Sequence, residues 1–125
     1  MQAKQGQEHV YLGIFHEDRL VGDIQIANID WRHRTASLGL GIARQADRGR
    51  GLGTDAARAL LRYAFQHLDL YRIYAVTAAY NIAMQRVLEA CGFSQEGRER
   101  KAVYANGKRW DRLCYGLLRP EFEES

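Results

Sequence analysis

The stretch Arg48-Gly49-Arg50-Gly51-Leu52-Gly53-Thr54 decides the fold, because three glycines alternate with larger side chains just before an amphipathic segment. It follows a strand-like run at 36–42. Glycine lets a backbone approach a ligand closely, and the start of a helix offers N–H groups and the positive end of the helix dipole. Two arginines add positive charge for a polyanion. The stretch therefore predicts a phosphate-binding loop between a strand and a helix.

The loop differs from two common nucleotide-binding motifs. A Walker A loop needs a Lys and a Ser or Thr after its last glycine, whereas Thr54 and Asp55 follow Gly53. The dinucleotide fingerprint needs the order G-x-G-x-x-G, which these glycines do not have. The pattern Arg48-x-x-Gly51-x-Gly53 instead resembles the acyl-CoA pyrophosphate loop of the GCN5-related N-acetyltransferases. Taken alone, a glycine-rich turn before a helix is the alternative interpretation.

The blocks that follow the loop occur in the order of the same family. Residues 56–65 resemble the helix after the loop, 70–76 resemble the fifth strand, and 81–93 resemble the next helix with its final Gly-Phe pair. The order Glu96-Gly97-Arg98, Asn106-Gly107 and Asp111 is similar to the ribosomal-protein, RimJ/RimL-like branch. The resemblance covers residues 20–118, so the chain is identified as a member of the GCN5-related N-acetyltransferase (GNAT) superfamily.

The hydrophobic pattern predicts a single α+β domain at 9–119, with a disordered tail at 1–8 and a C-terminal tail at 120–125. Alternating apolar residues predict strands, at 9–15, 20–28, 35–43, 71–78, 94–105 and 109–118. Two helices are predicted, at 54–68 and from an Asn81 N-cap to Cys91. The resemblance implies a mostly antiparallel, splayed mixed sheet flanked by helices, which is the acyl-CoA N-acyltransferase fold.

The resemblance also implies a strand and a pair of helices before the first predicted strand. In this superfamily these elements help to form the wall on the acceptor side. None of them precedes His9, so we expect an N-terminally truncated domain with a complete cofactor half. A fragment, a mis-set gene start and a genuine loss of the wall are the three alternatives.

Composition limits the classes of partner. The chain has 125 residues and is 46% hydrophobic, which suffices for one buried core. Its net charge of +3 suits a small anionic ligand, and no basic stripe or stacking motif predicts nucleic-acid binding. Arg98, Arg100 and Lys101 form a second basic cluster, which we interpret as a solvated strand face.

Cysteine usage and apolar runs favour a cytoplasmic location without a membrane partner. Cys91 and Cys114 are too few for a disulfide framework, and no signal peptide or membrane-spanning run is present. Cys91 falls on the apolar side of a helix and Cys114 in a strand. We therefore expect both to be buried small side chains and not nucleophiles.

The resemblance implies acetyl-CoA as cosubstrate, no metal, and direct attack by an amine on the thioester. The residues that it places on the cofactor are Leu40, Gly41, Ile42, Arg48, Gly49, Arg50, Gly51, Leu52, Gly53, Thr54, Asn81 and Arg86. The loop amides would hold the pyrophosphate, the strand would pair with the pantetheine arm, and a strand N–H could polarise the thioester carbonyl. Asn81 could instead be a pure N-cap, and Arg86 a solvated helix residue.

The sequence lacks proton-transferring side chains at the positions where the resemblance implies them. Many relatives have a Glu where Ser37 stands, and a Tyr or Ser acid where Met84 or Leu88 stands. The catalytic candidates are therefore Ser37, which could hold a water that takes the proton, Tyr80 near the expected thioester, and the neighbouring Asn81. We interpret the nearby His33 and Asp30 as solvated turn residues.

The sequence thus predicts an N-acetyltransferase for a primary amine, such as a peptide N-terminus, an amino sugar or a polyamine. Gly51→Val is expected to block acetyl-CoA binding by filling the pyrophosphate path. The alternative is a degenerate module that binds acyl-CoA without turnover, since Ser37, Met84 and Leu88 replace proton-transferring residues.

A homodimer is a further expectation, because apolar surface left open would favour a partner.

Overall fold

The computed structural model describes residues 9–42 and 51–123. The strands are β1 (Val10–His16), β2 (Arg19–Asp30), β3 (Thr35–Ile42), β4 (Arg72–Ala78), β5 (Ser94–Ala105) and β6 (Lys108–Leu118). The helices are α1 (Leu52–Gln66), α2 (Ile82–Ala90) and α3 (Arg119–Glu123). The six strands form one sheet in the order β1-β2-β3-β4-β6-β5.

The pairing of β3 with β4 determines the shape of the sheet. These two strands are parallel, whereas the other neighbouring strands of the described sheet are antiparallel. Their pairing ends at Ser37 and Tyr74, after three positions. Beyond that point β3 continues along β2, and β4 continues along β6. The strands therefore diverge, and the predicted mostly antiparallel, splayed mixed sheet is confirmed.

The core lies between one face of this sheet and α1. Alternation in the strands directs every second side chain to that face, and α1 supplies an apolar stripe. Fully buried members of the core include Ile24, Ile26, Ile73, Tyr115 and Leu117 from the sheet and Leu60, Leu61, Ala64 and Phe65 from α1. Burying one large aliphatic side chain contributes about 1.5–3 kcal/mol to the free energy of folding. The many buried side chains of this layer together fix the position of α1 on the sheet, and with it the start of α1 relative to β3.

Two boundaries differ from the prediction in ways that have a local cause. Helix α1 begins two residues earlier than expected, because Gly51 adopts φ +79 and its carbonyl accepts the first helical bond from the Asp55 N–H at 2.9 Å. Strand β6 begins at Lys108, because Asn106 and Gly107 at φ +55 and +75 close a two-residue hairpin.

A short helix occupies part of the segment that we expected to be a C-terminal tail. In α3 the Glu121 carboxylate accepts the N–H of Leu118 at 2.8 Å, which caps the helix start. The ring of Phe122 packs on Phe65 with a centroid separation of 5.5 Å. Pro120 in the first turn was the available sequence signal.

Candidate active site

A cavity of about 910 Å³ lies where β3 ends and where α1 and α2 begin. The divergence of β3 from β4 opens it, and two helix N-termini converge on it with their N–H groups and dipoles. Its lining residues are Leu40, Gly41, Gly51, Leu52, Gly53, Thr54, Tyr80, Asn81, Ile82, Ala83, Met84, Arg86, Val87 and Ala90. The walls of the cavity therefore come from three elements, the end of β3 and the starts of α1 and α2.

Most of the predicted cofactor residues that the structure describes meet in this cavity. Ile42, the last residue of β3, follows the lining residue Gly41. Arg48, Gly49 and Arg50 lie outside the described residues. Sequence reasoning missed five members of the lining, which are Ile82, Ala83, Met84, Val87 and Ala90. Their three- and four-residue spacing on α2 was the signal that could have found them.

The start of α1 presents three backbone amides at one end of the cavity. The first intrahelical bond runs from Asp55 to Gly51, so the N–H groups of residues 52–54 precede it, and no side chain of the described residues caps the helix. A Cβ on Gly53 would lie 3.2 Å from Leu40 Cδ2 and 3.5 Å from Val87 Cγ2. Glycine at that position therefore lets α1 begin close against β3 and α2, and the amides can bind an anion.

Asn81 combines a cap with a free donor. Its side-chain oxygen accepts the Met84 N–H at 3.0 Å, which caps α2. Because only the amide oxygen can accept, the cap fixes the side-chain orientation and leaves the Nδ2 group available to donate. The capping role and a ligand-binding role therefore use different atoms of the same residue.

Tyr80 lies at the mouth of the cavity and is held from β6. Its ring is 45% exposed and meets the edge of Trp110 at a centroid distance of 5.1 Å. The Trp110 indole N–H donates to the Ala105 carbonyl at 3.1 Å, and the Ala79 N–H donates to the Asp111 carbonyl at 2.9 Å. The described residues offer no hydrogen-bond partner to the Tyr80 hydroxyl, which is therefore available to a ligand.

Ser37 lies at the last β3–β4 pair, three positions before the lining residue Leu40, and is not part of the lining. Its hydroxyl donates to the Ala27 carbonyl at 3.2 Å and accepts from Asn28 Nδ2 at 3.2 Å. Asn28 reaches it from an irregularity of β2, where its φ is +54. Since the hydroxyl proton already has an acceptor, Ser37 offers one remaining lone pair and no basic group.

The two positions at which the resemblance implies a proton donor face the core. Met84 is 7% exposed and Leu88 is fully buried. Cys91 is also buried, and burial raises the pKa of its thiol, which favours the unreactive protonated form. Cys114 is only half-buried, because it lies on the open face of the sheet opposite the exposed Val76. Of the proton donors considered, Tyr80 is therefore the candidate that lines the cavity.

Asp30 and His33 form a turn outside the cavity, as the sequence predicts. The Asp30 carboxylate bonds the His33 ring at 2.9 Å and accepts the backbone N–H groups of Arg32 and His33. The hydrogen bond from the His33 side chain, followed by that from its backbone, lowers the pKa of Asp30. The pair closes the β2–β3 connection and makes no part of the lining.

Two general features complete the description of residues 9–42 and 51–123. Within these ranges no three His, Cys, Asp or Glu side chains cluster as metal ligands. None of the helices in the described part has both the length and the apolar character that crossing a bilayer requires.

Comparison with known proteins assigns the family. The family described as "Acetyltransferase (GNAT) domain" matches residues 1–94. The YdaF protein of Bacillus subtilis, named provisionally as a ribosomal N-acetyltransferase, is 37% identical over 89% of this chain and 60% of its own length. A spermidine N(1)-acetyltransferase of Vibrio cholerae is 30% identical over 76% of this chain and 54% of its own length.

A solved structure agrees with the sequence relatives. A crystal structure described as a probable acetyltransferase superposes with a TM-score of 0.83 at 35% identity and covers 90% of this chain. This chain covers 63% of that structure, so it spans about three fifths of the length of this structure and of the YdaF protein. The splayed sheet, the glycine loop before α1 and these matches together show that the chain belongs to the GNAT acetyltransferase family.

Proposed function

We propose that the protein transfers an acetyl group from acetyl-CoA to a primary amine by direct attack on the thioester. The observation that carries the proposal is the single cavity in which the amides of α1, the open edge of β3 and the Asn81 side chain meet. Its volume of about 910 Å³ is within the range of small-molecule and cofactor sites, about 300–1,000 Å³.

In this proposal the phosphates and the pantetheine arm of acetyl-CoA each have chemically matched groups. We assign the pyrophosphate to the amides of residues 52–54 and to Arg48, Gly49 and Arg50 of the loop. The pantetheine arm would pair with the free backbone edge of Leu40, Gly41 and Ile42. Arg86 lines the same cavity and would bind a phosphate, while Asn81 Nδ2 would donate to an amide carbonyl of the arm.

The reaction requires an uncharged amine, an oxyanion donor and a proton for the leaving thiolate. The amine nitrogen bonds to the thioester carbon, and a strand N–H of β3 stabilises the oxygen of the tetrahedral intermediate. The C–S bond then breaks, Tyr80 gives its proton to the sulfur and the amine loses one to water. The Tyr80 phenolate regains a proton from the water, which completes the cycle. Ser37, which has only a lone pair to offer, accepts an N–H and orients the amine.

We propose the acceptor and the partners of this protein from the names of its relatives. A relative named for ribosomal substrates and one named for spermidine make a peptide N-terminus and a polyamine the leading acceptor classes, with an amino sugar as a third. A cytoplasmic location, a homodimer and a metal-free mechanism belong to the same proposal. Nucleic acid and membrane are not among the proposed partners.

The first test is titration calorimetry with acetyl-CoA, followed by a thiol-release assay with a panel of primary amines. Arg86→Gln should weaken acetyl-CoA binding about fivefold, because one charge-assisted contact is lost. Arg62→Gln removes the same charge from an exposed part of α1 outside the cavity and should leave the affinity unchanged. Equal affinities of the two variants would contradict the assignment of Arg86.

The Gly51→Val variant is a less specific probe than the sequence suggests. At φ +79 a β-branched residue is strained whatever the ligand, and a Cβ there meets no atom of the described part of the chain within 4 Å. Binding of acetyl-CoA with no acetylation of any amine would favour the alternative of a binding module. That alternative has one structural observation in its favour, the lack of a basic group at Ser37.

A further inference from the structure

The β5–β6 hairpin carries three carboxylates, and each is neutralised by an arginine. Glu96 pairs with Arg72, Glu99 with Arg112, and Asp111 with Arg98. From the sequence we interpret Arg98, Arg100 and Lys101 as a solvated strand face. The pairing instead separates them into two groups, because some arginines already have acidic partners and others do not.

Four cations of the hairpin have no acidic partner among the described residues, namely Arg100, Lys101, Lys108 and Arg109. The side chains of Arg100 and Lys101 are exposed and make no ion pair there. Lys108 and Arg109, by contrast, lie over the rings of Trp110 and Tyr104 at 5.8 and 5.6 Å. Of these four cations, Arg100 and Lys101 are the two whose charged groups contact neither a carboxylate nor an aromatic ring among the described residues.

A local irregularity holds these two residues out of the regular strand. The β5–β6 register breaks between Glu99 and Val103, and Lys101 has φ +58. That conformation costs a lysine about 1 kcal/mol or more, so neighbouring contacts must hold it. The Lys101 N–H donates to Asp111 Oδ1 at 2.9 Å, and Arg109 donates to the Lys101 carbonyl at 3.3 Å.

The two cations line a concave site beside the proposed active site. Arg100, Lys101 and Asp111 surround a cavity of about 610 Å³. The Asp111 carboxylate is occupied by Arg98 at 2.6 Å and by the Lys101 N–H, and these bonds lower its pKa. The Asp111 carbonyl accepts a hydrogen bond from the N–H of Ala79, which is the residue before Tyr80. The cavity therefore adjoins the segment that carries the proposed acid.

We propose that Arg100 and Lys101 bind an anionic group, a carboxylate or a phosphate, of the acceptor amine. This inference rests on the proposed acetyl transfer and specifies its substrate class. The preferred acceptors carry negative charge near the reacting amine, as an acidic peptide does. Polyamines are poor acceptors, because the same two cations repel them.

The test compares Arg100→Gln/Lys101→Gln with the control Arg32→Gln/Arg62→Gln, which removes equal charge from exposed positions that line neither cavity. Acceptors are the peptides Ser-Glu-Glu and Ser-Lys-Lys and the polyamine spermidine, at low and moderate salt. For Ser-Glu-Glu, the first variant should raise KM about tenfold with little change in kcat, and the control should stay within about twofold. Wild type should prefer Ser-Glu-Glu over Ser-Lys-Lys, and added salt should reduce the preference.

Three results would overturn the inference: a wild-type preference for spermidine or Ser-Lys-Lys, an equal effect of the control, or a loss of acetyl-CoA affinity in place of the KM effect. The last result would assign the two cations to a phosphate of CoA. If acetyl-CoA binds but no amine is acetylated, the proposed function fails. In that case, calorimetric titration of the acetyl-CoA-saturated protein with Ser-Glu-Glu tests the anion site independently of catalysis. Binding that is lost in the Arg100→Gln/Lys101→Gln variant supports the anion site. Equal binding by the variant, or no binding by the wild type, overturns it.

Discussion

Tyr80 meets the edge of the Trp110 indole at a centroid distance of 5.1 Å and an interplanar angle of 70°. This edge-to-face contact holds the ring at the cavity mouth and leaves the hydroxyl free for a ligand. Tyr80→Phe keeps the ring contact and removes only the proton donor. We expect kcat to fall by about 10²-fold, the lower end of general-acid contributions, with acetyl-CoA affinity unchanged.

A tyrosine away from the cavity provides the control for that measurement. Tyr63 is exposed on α1 and stacks on His67 at 5.2 Å, so Tyr63→Phe makes the same chemical change without touching the site. Steady-state kinetics and calorimetry on both variants separate catalysis from binding. An unchanged kcat in Tyr80→Phe would mean that the thiolate takes its proton from solvent.

The two functions of Asn81 can be separated by substitution. Asn81→Asp keeps an oxygen to accept the Met84 N–H, so the cap and the free energy of unfolding should be retained. It loses the Nδ2 donor, and acetyl-CoA affinity should fall about tenfold. Asn81→Ala should lose both, with about 1 kcal/mol less stability. Thermal unfolding and titration of the two variants give the comparison, and tight binding by Asn81→Asp would leave the residue as a cap alone.

The Arg72–Glu96 pair predicts a pH-dependent contribution to stability. Two hydrogen bonds of 2.9 and 2.8 Å join the groups, and the bond from Arg72 lowers the pKa of Glu96 below its ordinary value of 4.5. A lowered folded-state pKa means that the contribution is complete above the unfolded-state pKa and is lost as the pH falls through the folded one. Glu96→Gln should therefore destabilise the protein at pH 7 and make no difference in strong acid.

The size of that effect is limited by exposure of the pair. The Glu96 side chain is 42% exposed, so solvent screens the charges and the difference at pH 7 should be about 0.5 kcal/mol. Urea unfolding between pH 3 and pH 7 measures it. Glu89→Gln, an exposed change on α2, is the control and should show no such trend. A Glu96→Gln difference that persists undiminished in acid would contradict an electrostatic origin.

The sequence predicted those features that depend on residues close together in the chain. The glycine loop, the Asn81 cap and the Asn106-Gly107 hairpin each have a local signature, and the described parts of these agree with it. The start of α1 was placed too late, because only the backbone conformation of Gly51 shows where the first helical bond forms.

Features that join distant segments were not predictable in the same way. The Tyr80–Trp110 contact spans 30 positions, and the Asn28–Ser37 bond depends on a positive φ within a strand. The separation of Arg100 and Lys101 from the paired arginines depends on a register break in β5. In each case tertiary geometry, and not local propensity, decides which polar group is free.

The bonding of Ser37 predicts the pH dependence of the proposed reaction. A neutral hydroxyl whose proton is donated to the Ala27 carbonyl is not a base, so Ser37 cannot deprotonate an ammonium ion and only the neutral amine reacts. For an acceptor with an ordinary α-amino pKa of about 8, kcat/KM should rise about tenfold per pH unit up to that value and then level off. Ser37→Ala should change this profile little. Ser37→Glu introduces the carboxylate that the family resemblance implies and should raise kcat/KM near pH 7, whereas the uncharged Ser37→Gln should not. A wild-type profile that is already flat below pH 7 would show that another group of the protein serves as the base.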